Sequence, residues 1–220
     1  MEQNSIQTDY VIKELYKAYK KMNKDLFDNK LKEDAIISIA SNHRQRSFIR
    51  GHFTPRKLWT YHEQEYHEII IWGLAFNEDY KQTLATLLHE MVHQYCHQIE
   101  VRDTSSNGRH NRKFKYYAEQ VHLKVHSPII KHIGYTTDVS EYLNKYFEDL
   151  DIDHTKINAF KNVNWLNNHA DLQAEIEKML AEKPKRYKYE CGLCFYDFSS
   201  KHDMELKCLK CENPLVKKSL

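Results

Sequence analysis

The apolar positions of this chain change period several times, and each change marks an element. Between Thr8 and Asp28, Val11, Leu15, Ala18, Tyr19, Met22 and Leu26 recur at helical spacing among Lys and Glu. That pattern predicts a long amphipathic helix starting near Thr8 and ending near Asn29. Three short runs rich in β-branched and aromatic residues, at 35–40, 46–53 and 66–72, predict strands. Gly51 lies within the second, where it marks a bulge or a close backbone approach. Residues 55–64 form a turn rich in basic and aromatic side chains. Helical spacing returns with Leu84, Leu88, Met91 and Tyr95, preceded by Asn77 as N-cap with Glu78 and Asp79 in the first turn. After an Asn107-Gly108 turn, Phe114, Tyr117, Ala118, Val121 and Val125 predict another amphipathic helix, which Ser127-Pro128 ends. The pattern weakens from about 136 onward. Leu172, Ile176 and Leu180 align as on a helix, and Trp165 suggests a packed contact. Between Ser140 and Glu182, nine acidic residues face four basic ones, so an acidic helical connector over 136–183 is expected. It separates a domain at 1–135 from a small one at 184–220.

Composition changes this picture little. With 41% hydrophobic and 29% charged residues in 220, the chain can bury a core. A formal net charge of +2 argues neither for nor against a nucleic-acid partner. No apolar run reaches the roughly 18–20 residues needed to span a bilayer, and the polar stretch 1–9 lacks the apolar segment of a secretory signal. No membrane association is expected. Around the second strand Arg44, Arg46, Arg50, Arg56 and Lys57 cluster, as either a solvated sheet face or a phosphate-facing patch.

The chemistry begins at His89-Glu90-Met91-Val92-His93. Two histidines four apart share one helix face, where both imidazoles can ligate one zinc ion. They fall on a different face from Leu84, Leu88 and Met91, so they border the core and open into a groove. Glu90 sits beside them, able to take a proton from a zinc-activated water. A catalytic zinc takes three protein ligands and keeps a fourth position open. Cys96 and Ile99 stand where the metzincin pattern needs Gly and His, which excludes that family. Three candidates remain for the third ligand. His97 extends the same face but fits a tetrahedral ion badly; Glu119 could serve from a following helix, as in gluzincins. His110 is the best placed, because the Asn107-Gly108 turn can fold the start of the next helix back over the first. Tyr116, Tyr117 and His122 are candidates for stabilising a transition state, and the spacing does not choose among them.

The C-terminal segment has a different character. A basic lead-in, 183–188, precedes Cys191-Gly-Leu-Cys194 and Cys208-Leu-Lys-Cys211. Two such knuckles with 13 residues between them can supply the four thiolates of a closed, structural zinc site, the alternatives being two disulfides or a thioredoxin-like redox pair. With no export signal, the cysteines are expected to be reduced and metal-bound, which indicates the cytoplasm or another reducing compartment. So short a segment buries little core, and metal binding is expected to supply its folding free energy. From Lys183 onward, nine basic residues face five acidic ones, and a tetrathiolate zinc halves that excess. Tyr187, Tyr189, Phe195, Tyr196 and Phe198 read either as stacking platforms for unpaired bases or as the ribbon's own small core.

Taken together, the segment 86–94 (Thr-Leu-Leu-His-Glu-Met-Val-His-Gln) and Gly108-Arg-His-Asn-Arg-Lys-Phe114 resemble the SprT-like zinc metallopeptidases, the group that includes the Spartan proteases acting on DNA–protein crosslinks. The likeness runs from about Tyr10 to Val125 and returns in the zinc ribbon. It departs where that family often carries Gly on both sides of the third histidine, since here Arg109 and Asn111 flank His110. The resemblance implies an α+β fold: a zincin-like core of helix, three-stranded sheet, HExxH helix and following helix, plus the small C-terminal ribbon. In such folds an edge strand lines the cleft and can hold an extended peptide, and the third strand is expected in that role. The expected function is a zinc metalloendopeptidase, with Glu90 as catalytic base and then acid. His89, His93 and His110 would hold a catalytic zinc, and Cys191, Cys194, Cys208 and Cys211 a structural one. The implied partners are a protein or peptide substrate and DNA, single-stranded or crosslinked to protein. The alternative is a nucleic-acid-binding zinc-ribbon protein whose upstream domain is not catalytic.

Overall fold

A computed structural model describes residues 8–41, 49–128, 134–159 and 187–218. The chain is mixed α+β and divides into two compact units, 1–172 and 173–220.

In the first unit, α1 (Thr8–Leu26) buries Val11, Leu15, Ala18, Tyr19 and Met22 along one stripe, with Asp9 in its first turn and Lys24 in its last. Those charges complement the helix dipole. The stripe packs on a three-stranded sheet of β1 (Ala35–Ala40), β2 (Gly51–Tyr61) and β3 (Gln64–Trp72), in the order β1-β3-β2. β1 runs parallel to β3, and β2 antiparallel to it. The third strand is therefore the central one, not the edge strand expected from the sequence.

β2 also extends well past its predicted end. Its register shifts between Thr54 and Trp59, and that irregularity accommodates Pro55 inside a strand. The reversal into β3 is a two-residue loop, His62-Glu63, with φ of 46° and 63°. Positive φ at both central residues belongs to the hairpin turn that matches strand twist. The sequence hides it because neither residue is Gly or Asn. Of the basic cluster, Arg44 and Arg46 lie outside the described residues, while Arg50 pairs with Glu78 and Lys57 lies 3.4 Å from Asp34. Ion pairing thus offsets part of that charge.

A 3-10 turn (Gly73–Phe76) leads to α2 (Tyr80–Gln98), whose N-cap is Asp79; Asn77 instead ends the 3-10 turn. Leu84, Leu87, Leu88, Met91 and Val92 are fully buried and join α2 to the sheet and α1 in one core. A buried polar link fixes the two helices: the Tyr19 hydroxyl donates to Gln94 at 2.8 Å, and the Gln94 amide donates to the Lys32 carbonyl at 2.9 Å.

α3 (Arg112–Gln120) is shorter than predicted. The chain turns at His122, with φ of 63°, and Val125 lies in β4 (Lys124–His126), paired antiparallel with β5 (Thr136–Asp138). Residues expected to start a connector instead pack with the first unit. In α4 (Glu141–Glu148) and α5 (His154–Ala159), Leu143, Phe147 and Ile157 belong to the common core. Trp165, Leu172, Ile176 and Leu180 fall outside the described residues. The second unit is a three-stranded sheet of β6 (Tyr187–Cys191), β7 (Asp197–Ser200) and β8 (Leu215–Lys218), in the order β7-β6-β8. Among the described residues, no helix is long and apolar enough to cross a membrane.

Candidate functional site

Four residues of separation on α2 bring His89 and His93 together, with Nε2 atoms 3.2 Å apart. The third imidazole arrives by a folded loop. After α2 the chain reverses so that Thr104 bridges to His110, and the Asn111 N–H donates to the Asp103 carbonyl at 2.9 Å. Asn111 then caps α3, accepting from the N–H groups of Lys113 and Phe114 at 2.7 and 3.3 Å. Immediately before that cap, His110 lies with its Nε2 3.1 Å from that of His93. The three histidines form a cluster that could hold one metal ion. Of the other third-ligand candidates, His97 packs its ring against Phe53 and His67, and Glu119 pairs with Lys115.

Each imidazole is oriented through its other nitrogen. His93 Nδ1 lies 2.5 Å from Asp103 Oδ2, His110 Nδ1 donates to the Tyr135 carbonyl at 2.7 Å, and His89 Nδ1 lies 2.7 Å from Thr137 Oγ1. The acceptors at His93 and His110 favour the proton at Nδ1 and leave the Nε2 lone pair facing the centre, while the Thr137 hydroxyl, able to donate or accept, orients His89. Phe114, fully buried, backs all three rings, with centroids 4.7, 4.8 and 4.2 Å from His89, His93 and His110. Gly134 bridges to His110 with a φ of +85°, and a Cβ there would come within 2.5 Å of the His110 carbonyl oxygen. Only glycine permits that approach.

Glu90 is buried beside the cluster, under the edge of β2. The Arg50 carbonyl accepts from the Trp72 N–H, so Arg50 and its alternates turn their amides toward β3. The alternating parity turns the Phe53 N–H away from the sheet, and it donates to the Glu90 carboxylate. Gly51 makes this approach possible: a Cβ there would lie 2.7 Å from Glu90 Oε1 and 2.8 Å from Thr86 Cγ2.

Burial sets the proton affinities. It raises the Glu90 carboxyl to about 7, against the opposing pull of His93 and the Phe53 N–H. Burial and the neighbouring imidazoles hold His89 well below the ordinary histidine value and His110 at about 4. For His93 burial works downward, but the Asp103 hydrogen bond and the Glu90 and Asp103 charges outweigh it and raise the pKa.

The three proposed transition-state donors have other contacts. Tyr116 packs on Tyr117, Tyr117 also on Tyr95, and His122 on Tyr142. The sequence reading missed Asp103, Thr137 and the Tyr135 carbonyl. The only linear signal for Asp103 is an acidic residue in the short loop between His93 and His110.

In the second unit Cys191, Cys194, Cys208 and Cys211 converge as a second group able to hold a metal ion. The sulfurs of Cys194 and Cys208 are 3.7 Å apart, and all the cysteines are free thiols. Backbone N–H groups of Cys194 and Leu193 lower the Cys191 thiol to about 7, and hydrogen bonds with Cys194 and its neighbours raise Cys211 to about 12. Tyr189 is buried, whereas Phe195, Tyr196 and Phe198 are exposed. Of these aromatics, Tyr189 alone is thus buried in the ribbon's core. No family model, no curated protein and no solved structure matches the chain.

Proposed function

We propose that this chain is a zinc-dependent metallopeptidase of SprT-like type, with a zincin-like first unit and a zinc ribbon as its second. The observation that carries the reading is the convergence of three Nε2 atoms, 3.1 and 3.2 Å apart along the cluster, beside a buried carboxylate. Ligands 2.0–2.1 Å from a tetrahedral zinc stand about 3.3 Å from one another, so the cluster fits that ion closely. Neutral imidazole nitrogens this close repel one another, and a cation bound between them relieves that repulsion. The same arithmetic with Zn–S of about 2.3 Å gives a sulfur separation of about 3.8 Å, against 3.7 Å for Cys194 and Cys208. A disulfide would need about 2.05 Å.

When bound by the histidines, zinc supplies a Lewis acid for a water and for a carbonyl oxygen. The protein's own groups do the rest. Asp103, the Tyr135 carbonyl and Thr137 hold the imidazoles in one orientation, so that no reorganisation accompanies the reaction. Glu90, buried beside the cluster, is placed to accept a proton from the water and return it to the leaving amine. The Phe53 N–H keeps the carboxylate in place. Among the described residues β2 is the outer strand beside Glu90, and its outer edge, where the Phe53 N–H already serves Glu90, suits an extended polypeptide better than a compact small molecule.

The test compares wild type with Glu90→Gln on casein, with and without single-stranded DNA. Turnover is expected to fall about 10²–10⁴-fold while both metals remain, and equal turnover would remove Glu90 from the chemistry. Stimulation of the wild type by DNA would support the DNA-associated substrates that the resemblance implies. A rate indifferent to DNA would remove that partner.

A further inference from the structure

The most prominent feature that the metal centres leave unused is the apolar surface of the ribbon. Tyr189 supplies its core, with the hydroxyl donating to Asp203 at 2.7 Å and accepting from the Met204 N–H at 2.8 Å. Phe195, Tyr196 and Leu209, by contrast, are 73%, 61% and 94% exposed. A metal-organised fold has no need of them for stability, and displaying them to water is unfavourable. Between Tyr196 and Phe198 on one side and the second knuckle on the other lies an open groove of about 370 Å³. Its lining is apolar except for Lys207 and Lys210.

We propose that this groove binds an extended apolar segment of another polypeptide, one with an acidic residue next to its apolar side chains. Three observations choose this occupant. First, β7 is the outermost strand of its sheet among the described residues, so its outer backbone edge, beside Tyr196 and Phe198, can pair with an extended chain. Second, the charge around the groove itself is nearly balanced: residues 187–218 carry six basic and five acidic side chains, and the basic lead-in 183–186 lies outside the described residues. A tetrathiolate zinc makes that balance slightly negative, and Lys217 is engaged by Asp203 at 2.5 Å. A polyanion gains little there; Lys207 has Glu212 4.0 Å away, whereas Lys210 on the groove complements a single carboxylate. Third, a stable second-copy interface needs about 1,200–2,000 Å² of buried surface, more than a groove of this size offers. The binding does not depend on hydrolysis, and it stands or falls separately from the peptidase reading.

The probe is reduced, carboxymethylated α-lactalbumin, a permanently unfolded acidic polypeptide, labelled with fluorescein. It is titrated against the full chain carrying Glu90→Gln, and a labelled oligo-dT is titrated in parallel. Leu209→Asp and Tyr196→Ser alter exposed side chains, so both variants keep the ribbon's metal. Each is expected to weaken polypeptide binding by about tenfold, with oligo-dT binding unchanged. Polypeptide binding unaffected by both substitutions would overturn the proposal. So would variants that lose oligo-dT while retaining the polypeptide, since the groove would then be a base-stacking site.

Discussion

Gly51 is where the fold and the proposed chemistry press hardest on one another. A Cβ at this position would meet Glu90 Oε1 at 2.7 Å, Thr86 Cγ2 at 2.8 Å and Glu90 Cγ at 3.0 Å. Ordinary contacts for these atom pairs begin some tenths of an ångström farther out, and packed interiors yield little. Gly51→Ala must therefore push Glu90 aside or lift the β2 edge, which breaks the bond from the Phe53 N–H to the carboxylate. Overpacking of this kind costs about 1–3 kcal/mol, which for a unit of this size lowers Tm by roughly 2–12 °C. Displacing the base by about 1 Å costs on the order of 10²-fold in turnover. Calorimetry, metal analysis and a casein assay on the same samples separate the effects, because the metal ligands themselves are untouched and both ions are expected to stay. A double-mutant cycle adds specificity: in a Glu90→Ala background, Gly51→Ala is expected to cost at least about 1 kcal/mol less. A Gly51→Ala protein with wild-type Tm and turnover, or a cycle with no coupling, would refute the idea that β2 bears on Glu90.

Other consequences are equally open to measurement. Asp103→Asn removes the charge that orients His93, and is expected to weaken metal binding at the histidines about 10–100-fold in a chelator competition that leaves the ribbon's metal unaffected. Cys208→Ser is expected to abolish the ribbon's metal and its fold, seen as one fewer ion by mass spectrometry with the first unit's thermal transition intact. Glu14 is buried on α1; burial alone would raise its pKa, but the Asp153 N–H, Lys17 and Lys156 outweigh it and hold it below 4.5. A carboxyl depressed by folding contributes stability that is complete above its unfolded pKa and is lost as pH falls through the folded value. Wild type is therefore expected to lose stability below about pH 4.5 in part through Glu14. Glu14→Gln should be less stable at neutral pH by about 1–2 kcal/mol and show a shallower acid limb in denaturant titrations; an unchanged limb would exclude that role.

The helices and the two side-chain clusters able to hold a metal were largely legible in the linear sequence because both depend on short spacings. Four residues between His89 and His93, and two between the cysteines of each knuckle, translate directly into shared faces and turns. Gly51 was legible as a close approach, although its neighbour, Glu90, was not. What stayed hidden depends on contacts distant in sequence. Nothing local marks Thr137 or Tyr135 as partners of imidazoles up to 48 residues away, and Asp103 is marked only by its place in the loop between His93 and His110. The sheet order was misjudged because strand sequence records burial, not neighbours: β3 pairs on both sides while β2 faces the site. The His62-Glu63 turn lacks the Gly or Asn that such turns usually announce themselves with, so a strand was taken for a loop. Val125 continues a helical pattern that the chain abandons at His122. Finally, the aromatics of the ribbon have the composition of a core, and only the three-dimensional arrangement separates buried Tyr189 from exposed Phe195 and Tyr196.

The central claim is that three histidines and a neighbouring carboxylate form a zinc centre separate from that of the ribbon. Native mass spectrometry of the full chain, wild type beside His110→Ala, tests it most directly. The account predicts two zinc ions in the wild type and one in the variant, the survivor being the ion that Cys208→Ser removes. A wild-type chain that carries only the ribbon's ion, or a His110→Ala chain that still carries two tightly bound ions, would contradict it.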